Sequence, residues 1–68
     1  MKKVEICNNV MKLRKKRGYT QSDLSNMTNL SQQYISNIER GMIVPSISKA
    51  IIIAEALGEC YCNVFFKC

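Results

Sequence analysis

Histidine and tryptophan are both absent from this chain of 68 residues, proline occurs once and glycine only three times. Without histidine the commonest general base and the commonest metal ligand are missing. There is no glycine-rich phosphate loop and no G-x-S-x-G elbow, so the common nucleotide-hydrolysing and serine-hydrolase designs have no support. No run of 18 apolar residues occurs: the longest, from Ala50 to Ala54, stops at Glu55. Neither a membrane span nor a signal peptide is therefore expected, and the chain is expected in the cytoplasm. Acidic residues are also scarce, five against ten Lys or Arg, which leaves a net charge of +5.

What remains fits one small domain, residues 1–68. A chain of this size buries only about 60% of its unfolded surface, which leaves little room for an enclosed catalytic cavity. A binding module without a cofactor is expected, not an enzyme. The charge is uneven: residues 1–17 carry seven Lys or Arg and one Glu, whereas residues 18–68 carry three against four acids. This basic N-terminal field either attracts phosphates, or serves only to complement a helix C-terminus with Lys15, Lys16 and Arg17 and to keep the chain soluble.

Apolar spacing predicts a string of helices. Residues 4–17 place Ile6, Val10 and Leu13 at helical intervals, and residues 46–57 do the same with Ile47, Ala50, Ile51, Ala54 and Leu57. Gly18, Gly41 and Gly58 each follow a helical pattern and read as helix stops. Pro45 and Ser46 set the start of the fourth helix, and residues 61–66 form a short fifth one.

The most informative stretch is residues 20–41, TQSDLSNMTNLSQQYISNIERG. Thr20 and Asp23 fit a capping pair that starts a helix near Gln21 and points free N–H groups outward, where they can hold a phosphate. Leu24 and Met27 give that helix its inward contacts. Ser25 is small where two helices approach, Asn29 tolerates the left-handed backbone of a tight turn, and Ser31 caps the next helix. In that helix, Ile35 and Ile38 form the buried stripe, which turns Gln33, Ser36, Asn37 and Arg40 to the opposite face with Gln32 at its leading edge. A Gln or Asn amide offers a donor beside an acceptor, the complement of the N6 and N7 edge of adenine.

The segments LRKKRGYTQSDL, LSQQYISNIERG and P-S-I followed by IAEALG resemble the Cro/CI-type (XRE-like) helix-turn-helix family of bacterial and phage repressors. The resemblance runs from about Ile6 to Phe65, and the SQQ opening is most similar to lambdoid phage repressors. It implies an all-α, compact five-helix bundle whose helices 2 and 3 form the helix-turn-helix. It also implies a sequence-specific transcriptional regulator, a repressor, acting as a homodimer on palindromic double-stranded DNA. The implied base contacts are Gln32 and Gln33, with Asn37 on a base or a phosphate. Phosphate contacts fall to Gln21, Ser31, Tyr34, Ser36 and Arg40. Arg14 and Glu39 are implied to pair, and a carboxylate near the apolar side of the third helix needs such a cation.

Three features depart from the family pattern. Met42, Ile43 and Val44 occupy a loop that is often basic, which leaves Arg40 as the cation near the reading face. Ile52 and Phe66 add apolar side chains beyond the expected core positions Val64 and Phe65, either as a dimer patch or as an enlarged core. Cys7 and Cys60 are expected to pack as small apolar residues, and a secreted disulfide scaffold is not expected. Cys60, Cys62 and Cys68 lack a C-x-x-C pair, and no metal is expected. Two other readings stay open: an antitoxin-like or restriction-controller module whose main partner is a protein, and a thiol-based metal or redox sensor.

Overall fold

The computed structural model describes residues 6–68. In chain order the elements are strand β1 (Ile6–Asn8), helices α1 (Val10–Lys16), α2 (Gln21–Thr28), α3 (Gln32–Glu39), α4 (Ile47–Leu57) and α5 (Tyr61–Val64), and strand β2 (Phe65–Lys67). The core is a single apolar cluster. Val10, Leu24, Ile35, Ile38, Ile53, Leu57 and Val64 are fully enclosed, so all five helices contribute to it.

The fold is mostly helical, but the expectation of an all-α bundle needs correction at both ends. Residues 6–8 are a strand, not the first turns of a helix over residues 4–17, of which residues 4 and 5 lie outside the described part. Asn8 is the reason α1 starts later. Its side-chain oxygen accepts from the Val10 N–H at 3.1 Å, its amide donates to the Ile38 carbonyl at 2.9 Å, and the Asn9 N–H reaches the Val64 carbonyl at 2.9 Å. These bonds turn the chain sharply where a helix would have needed the same groups.

The fifth helix is likewise shorter than residues 61–66. It stops at Val64, and Phe65 and Phe66 enter β2, which runs antiparallel to β1 with Ile6 opposite Lys67, Cys7 opposite Phe66 and Asn8 opposite Phe65. Aromatic and β-branched residues suit such a ladder. A disulfide joins Cys7 to Cys68, with Cα atoms 5.3 Å apart. Cys7 is therefore bonded where it was expected to pack as a free apolar residue, and Cys68 is not gathered with Cys60 and Cys62. Cys60 is exposed, so it does not pack in the core either.

Two helical stripes differ in register from the expected ones. In α2 the second inward position is Thr28, not Met27, which is 47% exposed. Burying Thr28 is tolerated because its hydroxyl donates to the Leu24 carbonyl at 2.7 Å. In α4 the buried residues are Ala50, Ile53, Ala54 and Leu57, whereas Ile47 and Ile51 are exposed. All three glycines carry positive φ just past a helix, and at Gly58 an added Cβ would also lie 2.8 Å from the Arg17 guanidinium.

Candidate nucleic-acid interface

The α2–turn–α3 unit is built from local bonds. Thr20 and Asp23 form a reciprocal capping box, with the Asp23 N–H donating to the Thr20 hydroxyl at 3.0 Å and the Thr20 N–H donating to the Asp23 carboxylate at 2.9 Å. The N–H groups of Gln21 and Ser22 have no intrahelical acceptor and lie at the positive end of α2. Asn29 closes the helix in the left-handed region, φ 61°. The Ser25 hydroxyl donates to the Leu30 carbonyl across the turn. Ser31 caps α3 by accepting from the Tyr34 N–H at 3.0 Å, which leaves its own hydroxyl hydrogen free to donate outward.

On α3, Ile35 and Ile38 are buried, Gln32, Gln33 and Arg40 are exposed, and Ser36 and Asn37 are half-buried. Gln33 donates to the Asn37 carbonyl oxygen at 3.0 Å. That bond joins the two amides into one unit. The bond uses neither the Gln33 oxygen, an acceptor, nor the Asn37 NH₂, a donor.

The helix is held against the body by an ion pair. Arg14 donates through Nε and Nη2 to the two Glu39 oxygens at 2.7 and 3.2 Å, and through Nη1 to the Tyr19 carbonyl at 2.9 Å. Gln21 adds a bond from its amide to Glu39 at 3.0 Å. The Glu39 side chain is only 1% exposed, so its charge depends on these three donated bonds. Gln21 thus braces α2 against α3 with its side chain. Its backbone N–H remains free at the helix start.

Sequence reasoning missed Lys49. Its ammonium lies 5.0 Å from the centre of the Tyr34 ring, within cation–π range, and puts a second positive charge beside α3 in addition to Arg40. Nothing within α4 announces this, because the contact joins side chains of two separate helices. Elsewhere, Phe66, Phe65, Tyr61, Ile47, Val44 and Pro45 line a shallow apolar groove of about 270 Å³. Ile52 is exposed on α4 but does not line it, so the two residues of the expected dimer patch are not brought together in one groove.

The Helix-turn-helix family matches residues 10–62, from the start of α1 into α5. The chain belongs to the XRE-type helix-turn-helix family. Members of this family are DNA-binding transcriptional regulators, not enzymes. An uncharacterized HTH-type transcriptional regulator of Sinorhizobium fredii is 36% identical over 53 residues, covering 78% of this chain and 69% of that protein. A hypothetical transcription factor from Neisseria superposes with a TM-score of 0.76 at 27% identity over 81% of this chain, which spans 63% of that protein. The restriction-modification controller C.Esp1396I, solved as a tetramer on its natural 35 base-pair operator, gives 0.69 at 35% identity, covering 75% of this chain and 67% of that one. Both strands begin outside the family match, and so does the Cys7–Cys68 bond.

Among the described residues no helix is long and apolar enough to cross a membrane.

Proposed function

We propose that residues 1–68 form one non-enzymatic domain that binds palindromic double-stranded DNA as a homodimer and represses transcription from the cytoplasm by blocking polymerase. The observation that carries this reading is the Gln33–Asn37 amide pair, presented outward on the second helix of the helix-turn-helix. Its free acceptor and free donor complement the N6 and N7 edge of adenine in the major groove, with Gln32 reading an adjacent base. The helix starts at Gln21 and Ser31 hold phosphates. Tyr34, Ser36 and Arg40 add further phosphate contacts on the flanks, with Lys49 beside Tyr34.

Ile52 and Phe66 are assigned to self-association, and Phe66 is the stronger of the two because it stands in an apolar groove. A two-fold dimer on B-DNA places its recognition helices about 34 Å apart, so half-sites are centred roughly 10 to 10.5 base pairs apart. Selection of bound duplexes from a random pool tests the whole reading. The wild type is expected to enrich a two-fold motif with A·T pairs in each half. Phe66→Glu, with an unchanged circular dichroism spectrum and the sedimentation of a monomer, is expected to enrich a single half-site. No enriched motif from the wild type would overturn DNA reading, and loss of fold in the variant would show that Phe66 is structural.

Base reading by Gln33 has its own expected result. Gln33→Ala lowers affinity for the selected operator by about 1 to 3 kcal/mol and leaves binding to scrambled duplex nearly unchanged. Gel-shift titrations on both duplexes check it, and equal losses would assign Gln33 to the backbone.

A second reading, a restriction-modification controller, is favoured by the likeness to C.Esp1396I. A restriction gene beside the coding sequence supports it, and regulation confined to unrelated genes counts against it.

A further inference from the structure

Two cysteines stand apart from both the DNA-facing helix and the disulfide. Cys60 and Cys62 are exposed, and their sulfurs lie 2.8 Å apart. Cys60 occupies the position preceding α5, yet its side chain makes no capping bond; its sulfur faces that of Cys62 instead. A metal ion does not suit this spacing. In a tetrahedral thiolate site with metal–sulfur bonds of about 2.3 Å the sulfurs stand about 3.8 Å apart, whereas a disulfide needs about 2.05 Å. The observed pair is on the disulfide side of that range. Closure requires an approach of less than about 1 Å.

We propose that Cys60 and Cys62 form a redox site, an exposed dithiol that closes to an intramolecular disulfide by exchange with a small-molecule disulfide of the glutathione class. Both sulfurs are exposed, so attack can begin at either, and the route through Cys60 illustrates the exchange. The contact between the two sulfurs lowers the Cys60 thiol from its ordinary range and raises that of Cys62. In the first step the Cys60 thiolate attacks one sulfur of the small disulfide, breaks its S–S bond and releases one small thiolate. Cys62 then loses its proton to that thiolate, and its sulfur attacks the Cys60 sulfur. The mixed bond breaks and a second small thiolate leaves, which takes up the proton originally lost from Cys60. The two protein thiols are oxidised and the small disulfide is reduced to two thiols. Cys7 and Cys68, already bonded, take no part.

Trypsin isolates the site, because the peptide 50–67 follows Lys49, ends at Lys67 and carries Cys60 and Cys62 without the other two cysteines. The intact protein is equilibrated in glutathione buffers of graded ratio, acid-quenched, alkylated, digested and weighed. The wild-type peptide is expected to lose two hydrogens, and its alkylation, as the buffer becomes oxidising. In Cys62→Ser, which lacks the second sulfur, a glutathione adduct is expected to accumulate on Cys60. In Cys60→Ser the adduct is expected to accumulate on Cys62 instead. The proposal is overturned by full alkylation of the wild-type peptide at every ratio, by wild-type adducts that never close, or by a link from this peptide to Cys7 or Cys68.

Discussion

Arg14→Met is expected to lower the free energy of unfolding by about 3 to 5 kcal/mol, because it strands a carboxylate that the fold has enclosed. Glu39 is 1% exposed and takes two of its bonds from Arg14, leaving only the Gln21 amide after the substitution. Small domains have only a few kcal/mol in hand, so this variant should be largely unfolded at 25 °C. Urea titration followed by circular dichroism measures the effect. The double variant Arg14→Met, Glu39→Met removes both charges and is expected to recover most of the loss, since a buried pair replaced by apolar side chains is often neutral. If the double variant is as unstable as Arg14→Met, the damage comes from lost packing of the arginine stem and not from the orphaned charge. The pair matters to function through position: it ties α1 to the C-terminal end of α3, and Gln21 ties in the start of α2.

Breaking the Cys7–Cys68 bond should cost a similar amount by a different route. The bond closes nearly the whole chain into a loop, with a sequence separation of 61, and the chain-entropy relation gives about 4 kcal/mol for a loop of that length. In a domain this small that corresponds to a fall in Tm of roughly 15 to 30 °C. The measurement is thermal unfolding of Cys7→Ser, Cys68→Ser against the wild type, with Cys60 and Cys62 replaced by Ser in both so that only one bond is compared. An unchanged Tm would mean that the three-residue ladder of β1 and β2 already holds the ends together without it. Disulfides persist in oxidising surroundings and are rare in a reducing cytoplasm. The two predictions therefore separate conditions as well as residues: the ion pair acts under any redox regime, whereas the clasp acts only where the bond survives.

The local code of the helix-turn-helix was legible in the sequence. The Thr20–Asp23 box, the Ser31 cap, the left-handed Asn29 and the three positive-φ glycines depend on groups a few residues apart, and backbone geometry fixes what such groups can reach. The amide face of α3 follows from the same arithmetic, because Ile35 and Ile38 can share one side only if Gln33 and Asn37 share the other. Periodicity was less decisive where several registers are equally apolar. Leu24 has neighbours at both Met27 and Thr28 on its face, and α4 is rich enough in isoleucine that a stripe through Ile47 and Ile51 reads as well as the real one through Ile53.

By itself, then, the sequence determined which segments form the helix-turn-helix, where each of its helices begins, and which face of α3 points outward, since each of these is settled within about one helical turn. Only the tertiary structure decided the rest. The β1–β2 ladder, the Cys7–Cys68 bond, the anchoring of Asn8 on Ile38, the turn of Gln21 toward Glu39 and the seat of Lys49 on Tyr34 all join residues far apart along the chain, the nearest of them Lys49 and Tyr34 on different helices. Residues 6–8 carry an acceptable helical pattern until residues 65–67 arrive beside them. A strand has no energetic advantage until its partner supplies the hydrogen bonds, and that partner is placed by the packing of all five helices between them.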